Sequence, residues 1–315
     1  MKTEYKSFVT KRAYGVELEI SNNLNLKQLS DIIKSSGTKC GVNTTNSWAT
    51  TNTGNELWHV KRDSTCGPKG KTKDINLYGY EIASYVASGK EGLIDVSNVT
   101  CQLKTRGAIV NKNCGLHVHA DARDLDYKSM AKIIAQWVRI EPIMLHAVPP
   151  SRRNNKYCKT LSSRFRGMTD RNLTHRDIWT LARPRNLEVH DNPEKKYAIN
   201  TVGFAAAQES YYTNKNTVEL RLPEGTLERE NVKNWVRLWI NFVSRNKKVT
   251  LPENLNQVNL HKVLNILGLQ GDEDTFYILS RGLYETKVWF LKRICTYTNE
   301  GPVYQEAKKI LLNIV

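Results

Sequence analysis

Three short segments of this chain alternate with the same code, and that alternation restricts what they can build. GVELEI (Gly15 to Ile20), LHVHAD (Leu116 to Asp121) and TVELRL (Thr217 to Leu222) each set aliphatic residues against ionisable ones with a period of two. A period of two belongs to β-strands, whose successive side chains point to opposite faces. Glu17 and Glu19, then His117, His119 and Asp121, then Glu219 and Arg221 are therefore expected opposite the aliphatic faces of their strands. A fourth strand is expected at Tyr78 to Val86, with Glu81 facing away from Tyr80 and Ile82. For any one strand, a sheet with one face in the core and one in water is a sufficient explanation. Taken together the strands argue otherwise: in a chain of net charge +16 a solvated face should carry lysine, and the first three segments have none. If all four strands share a sheet, Glu17, Glu19, Glu81 and Glu219 converge with His117 and His119 on one surface.

Crowded carboxylates repel one another unless cations compensate. Oxygen donors with one or two imidazoles suit Mg²⁺ or Mn²⁺, held together with water and nucleotide phosphates. A zinc site from Cys114, His117, His119 and Asp121 fits less well, because Cys114 and His117 face opposite ways on one strand. The six cysteines are scattered without a C-x-x-C pair, so neither a disulfide framework nor a paired-cysteine zinc site is expected.

Elsewhere, helices are expected from Asp126 to about Val148 and from Glu228 to Arg245, where apolar residues fall at helical spacing, and again over Leu260 to Leu267, Asp272 to Tyr297 and Val303 to Ile314. Short strands are expected at Trp58 to Arg62 and Tyr197 to Val202, and the stretch from 36 to 76 otherwise reads as loop. Two domains are expected, 1–246 and, at 247–315, a C-terminal helical subdomain packed on it. With 315 residues, 40% of them hydrophobic, the chain can bury a large core. No apolar run approaches a membrane span, and the N-terminus lacks the pattern of a secretory signal, so a cytoplasmic protein with no membrane partner is expected. The basic balance, pI near 9.5, points to an anionic partner, with nucleotide and nucleic acid both open. The segment from Ser151 to Lys196 alone holds twelve basic and five acidic residues, a net +7.

The order of these motifs resembles that of the amidoligase family, which shares the fold of glutamine synthetase and glutamate-cysteine ligase and is common in phage genomes and fungi. GVELEI, WHVKRDS, GYEIAS, CGLHVHAD, PPSRRNNKYC, KYAIN and TVELRLPEGT occur in the family's order between about Ala13 and Ser244. The resemblance implies an α+β fold: a curved, mainly antiparallel sheet with helices packed on one face, as in the glutamine synthetase catalytic domain, followed by C-terminal helices. It implies Glu17, Glu19, Glu81, His117 and Glu219 as metal ligands. His119 would sit near nucleotide phosphates, with Lys61, Asp63 and Ser64 of the WHVKRDS segment and Arg153 also on the nucleotide side. Arg221 would contact the transferred phosphoryl group. This chain has Asp63-Ser64-Thr65 where the family tends to Asp-Gly-Ser, and Tyr85 where a proline usually follows the Glu81 strand.

The implied activity is an ATP- and Mg²⁺-dependent carboxylate-amine ligase that forms an amide or isopeptide bond through an acyl phosphate. Arg152 is then expected on the acidic substrate or the phosphates, and Glu224 is a candidate base for the amine; as a turn carboxylate facing the positive end of the next helix it has an equally simple explanation. Two other readings stay open: phosphoryl transfer to a nitrogen acceptor on the same fold, and a basic nucleic-acid-binding protein without catalysis. The sequence leaves the carboxylate, the amine and the oligomeric state unspecified.

Overall fold

The computed structural model describes residues 11–45, 56–67, 78–168, 171–187, 192–209, 216–271 and 281–314. They are α+β, with helices and seven strands whose described pairings are mostly antiparallel. The chain divides into two compact units. The first is Ala13–His119 with Pro223–Val236; the second is Ala120–Leu222 with Arg237–Val315 and the segment ending at Arg12.

In the first unit the strands run in the order β2-β3-β4-β1-β5. They are β1 (Tyr14–Asn22), β2 (Val42–Thr45), β3 (Trp58–Arg62), β4 (Tyr78–Ala83) and β5 (Leu116–Asp121), the last of which ends in the other unit. β4 is antiparallel to both β1 and β3, and β2 is parallel to β3. Two helices belong here that the alternation does not announce: α1 (Leu26–Ser35) and α2 (Gly89–Thr105). α1 starts at a capping box in which Asn25 and Gln28 satisfy each other's backbone N–H groups, and it buries Leu29 and Ile33. Val16, Leu18, Ile20, Trp58, Val60, Tyr80 and Ile82 are all buried, so the aliphatic faces of the strands do form core.

The second unit is built around α3 (Tyr127–Met144). In it Trp137 meets Trp239 edge-on at 5.8 Å, and Trp239 stacks on Phe242 at 5.5 Å. The short α4 (Pro150–Arg153) and α5 (Asp177–Ala182) follow, then β6 (Ile199–Asn200), α6 (Val202–Gln208) and β7 (Thr217–Leu220), which pairs antiparallel with β6. α7 (Arg229–Asn246) begins in the first unit, and its C-terminal half carries Trp239, whose indole donates to the Val218 carbonyl at 3.3 Å. That bond ties β7 to the aromatic core. Helices Leu260–Leu267, Arg281–Tyr297 and Pro302–Leu312 complete the unit, and residues 272–280 of the expected Asp272 to Tyr297 helix lie outside the described residues.

The expected strand at Tyr197 to Val202 shortens to Ile199–Asn200. The Ala-rich run VGFAAAQ favours helix, and the Asn200 side chain accepts from the Val202 N–H at 2.9 Å to start it. Part of the stretch taken as loop forms β2. Among the described residues no helix is long and apolar enough to cross a membrane.

Candidate active site

The polar faces of these strands are not solvated. Glu19, Glu81 and His117 in the first unit, and Glu219 in the second, are each under a tenth exposed. The half-solvated sheet therefore does not describe them.

In the first unit the pairing register puts Glu81 directly across from both Glu19 on β1 and Lys61 on β3. Lys61 Nζ lies 2.7 Å from Glu81 Oε1. Burial would lower the Lys61 pKa, but Glu81 and Glu17 outweigh it and hold the ammonium above its usual range. From β5, His117 reaches two carboxylates: Nδ1 is 3.2 Å from Glu17 Oε2 and Nε2 is 3.5 Å from Glu19 Oε1. His119 Nε2 is 3.1 Å from Glu17 Oε1. Glu19 Oε2 also accepts from the Gly115 N–H at 2.5 Å. Glu17, Glu19, Glu81, His117, His119 and Lys61 thus form one connected set.

Asp63 and Ser64 sit in the turn after β3. Asp63 is buried and accepts from both the backbone N–H and the hydroxyl of Thr65, at 2.8 and 2.7 Å; Ser64 is exposed. Thr65 thus closes the turn at the point where this chain departs from the family's Asp-Gly-Ser. Glu224 is half-buried and bridges to Gly115 in an antiparallel contact. The following Gly225 donates to the Cys114 carbonyl at 2.9 Å. A Cβ on Gly225 would stand 2.5 Å from the Cys114 Cβ, so only glycine permits this approach.

In the second unit Glu219 is clamped from two sides. Arg221 Nη1 donates to Oε1 at 2.5 Å and Asn200 Nδ2 to Oε2 at 2.6 Å. Asn200 is directly opposite Glu219 in the β6–β7 register. The motif KYAIN does not by itself give Asn200 a role; that role comes from the strand register that sets it across from Glu219. Arg152 is buried, and its guanidinium donates to two backbone carbonyls, Nε to Leu222 at 3.1 Å and Nη2 to Arg221 at 2.6 Å. Arg153 likewise donates to the Val148 and Tyr297 carbonyls.

Much of the basic 151–196 segment is engaged in this way within its own unit. Arg164 pairs with Glu194, Arg171 with Asp177 and Arg183 with Glu209. With Arg152 and Arg153, that accounts for five of the twelve basic residues counted in the sequence. The charge excess of this segment is therefore partly structural. Asp121, the last residue of β5, is held by Arg123 through two contacts at 2.9 Å.

Four buried or half-buried carboxylates (Glu17, Glu19, Asp63 and Glu81) face one lysine and two imidazoles, an excess of negative donors that favours cations nearby. A family model described as "Putative amidoligase enzyme" matches residues 10–243, well over half of the chain. The chain belongs to that amidoligase family, and with it to enzymes of the ligase class. No curated protein matches it.

Proposed function

We propose that this enzyme is an ATP- and Mg²⁺-dependent carboxylate-amine ligase. The observation that supports it best is the excess of buried carboxylate in the Ala13–His119 unit, which, among the described residues, the Lys61 ammonium does not neutralise. The donor set is oxygen with imidazole, and that chemistry fits Mg²⁺ or Mn²⁺. Glu17, Glu19, Glu81 and His117 would hold the metal, and bound Mg²⁺ would neutralise phosphate oxygens that otherwise repel an incoming carboxylate.

The chain's own residues supply the rest of the reading. Joining a carboxylate to an amine is uphill in water, so the carboxylate first attacks the γ-phosphate of ATP. The O–P bond to ADP breaks as the acyl phosphate forms; the amine then attacks the carbonyl and phosphate leaves. Arg221, partly exposed, is suited to gripping phosphoryl oxygens with a planar cation once it gives up its bond to Glu219. Glu219 keeps Asn200 as a second anchor. His119 and Lys61 would face nucleotide phosphates, with Asp63 and Ser64 in the adjoining turn, and Glu224 is the candidate base for the amine. Arg152 acts as a positioning residue that fastens the backbone at Arg221 and Leu222.

The test is an assay of purified protein with Mg²⁺, ATP and paired carboxylates and amines, read by phosphate release and product mass. ADP and phosphate should appear only when both substrates are present, with a product lighter than the substrates' sum by one water. Release of AMP and pyrophosphate, or undiminished turnover in Glu81→Ala, would overturn the reading. A phosphorylated product without an amide would instead identify a phosphotransferase.

A further inference from the structure

One buried cluster extends past the glutamate and histidine face. Glu19, Asp63 and Cys66 each offer a ligand atom, and those atoms lie within 4.8 Å of one another. Cys66 is fully buried, Asp63 is 4% exposed and Glu19 8%. The two hydrogen bonds to the Asp63 carboxylate, from the Thr65 N–H and hydroxyl, both fall on Oδ1. A second buried thiol lies near Cys66 though outside the 4.8 Å group: Cys114 Sγ is 3.8 Å from the Cys66 carbonyl. The same carbonyl accepts from Asn111 Nδ2 at 2.9 Å, while the Asn111 N–H points to Cys114 Sγ at 3.4 Å. One asparagine therefore holds the two cysteine-bearing turns together.

We propose that Cys66, Asp63 and Glu19, with Cys114 as the fourth donor, form a site for a thiophilic divalent cation, Zn²⁺ above all. The two thiols distinguish this site from the oxygen and imidazole set assigned to Mg²⁺, with which it shares Glu19, because thiolates select soft or borderline metals. Four-coordinate Zn²⁺ with the usual Zn–O and Zn–S lengths needs neighbouring ligand atoms about 3.4 to 3.8 Å apart. The trio, already inside 4.8 Å, needs movements of about an ångström, within reach of side-chain torsions. Binding balances as Zn²⁺ plus two thiols and two carboxylates, giving a complex of charge −2 and releasing two protons. The ion would fasten the turn after β3 to the turn before β5, and through Cys114 to the Gly225 backbone packed against it. Such a brace answers a need that the scattered cysteine spacing did not announce, since Cys66 and Cys114 come from distant segments.

The experiment uses the full chain, stripped by chelator and titrated with Co²⁺ in excess Mg²⁺. A thiolate-to-cobalt charge-transfer band should rise to one equivalent and vanish as Zn²⁺ displaces Co²⁺. A pH indicator should report about two protons released per Zn²⁺, and about one in Cys114→Ser. Cys66→Ser should weaken Zn²⁺ binding by about 100-fold or more, whereas Glu81→Gln should leave the band in place. If circular dichroism shows Cys66→Ser unfolded, the proton count of Cys114→Ser decides. Absence of a thiolate band, or a band and proton count unchanged in Cys114→Ser, overturns the proposal. None of these readouts involves ATP turnover, so the outcome is independent of the ligase assay.

Discussion

Arg152→Ala separates a positioning arginine from a substrate-binding one. In the structure the guanidinium is buried and donates to the carbonyls of Arg221 and Leu222, at the end of the strand that carries Glu219. Truncation leaves a buried and a part-buried carbonyl without these donors. Each orphaned acceptor costs about 1 to 3 kcal/mol, and bonds from a charged donor sit toward the upper end. A total of about 4 kcal/mol is expected. Unfolding entropy scales at about 2.1 cal/mol/K per residue near 60 °C, so for 315 residues that loss lowers the melting temperature by about 6 °C. Arg152→Lys, which keeps one donor but not the fork, should fall about half as far. The assay is a thermal melt by circular dichroism, with Mg²⁺-ATP turnover measured well below the melt. A melting temperature within a degree of wild type, combined with turnover reduced 100-fold, would refute the reasoning, because the guanidinium would then be acting on a ligand and not on the strand.

Glu81→Gln removes the carboxylate that pairs with Lys61, and turnover should fall about 100-fold or more with partial rescue at high Mg²⁺; an unaffected Mg²⁺ dependence would exclude Glu81 from the metal set. Asp177 is held well below the usual carboxylate range, first by Arg171, while burial opposes and Thr174 adds further hydrogen bonds. A lowered carboxylate pKa gives stability that is present above the unfolded value and lost as pH falls through the folded one, so acid should destabilise wild type below about pH 4. Asp177→Asn should melt earlier at neutral pH and converge with wild type in acid, which parallel melts across pH can check. Gly225→Ala drives a Cβ to 2.5 Å from the Cys114 Cβ and 2.9 Å from its backbone carbon, so a loss of about 1 to 3 kcal/mol in urea unfolding is expected.

Alternation along β1, β4, β5 and β7 made their ionisable faces legible, since a period of two states which side chains share a face. It did not state how deeply that face is buried. Glu19 and Glu81 are shielded through cross-strand register with segments far away in sequence, and no single segment encodes register. Helices α3 and α7 were readable from their apolar stripes. α2 was not, because it opens on glycine and carries β-branched Val96, Val99 and Thr100, which weaken the helical pattern. α1 carried its own start signal in Asn25 and Gln28, a capping box that lies inside an otherwise unremarked polar stretch. Arg152 illustrates the opposite limit. A motif can place an arginine near the chemistry, but only coordinates show that its donors go to carbonyls.

Gly79 bears on how reproducibly this site forms. The Gly79 carbonyl accepts from the Asp63 N–H at 2.9 Å, and a Cβ at Gly79 would fall 2.0 Å from the Asp63 carbonyl oxygen. Its neighbours Tyr78 and Tyr80 both carry large rings. A slip of β4 by one residue in either direction would push a tyrosine into a space that admits only hydrogen. The glycine thus works as a key in a lock for strand pairing: it admits the one alignment in which Glu81 stands across from Glu19 and Lys61, and it rejects the misfolded neighbours before any ligand is bound.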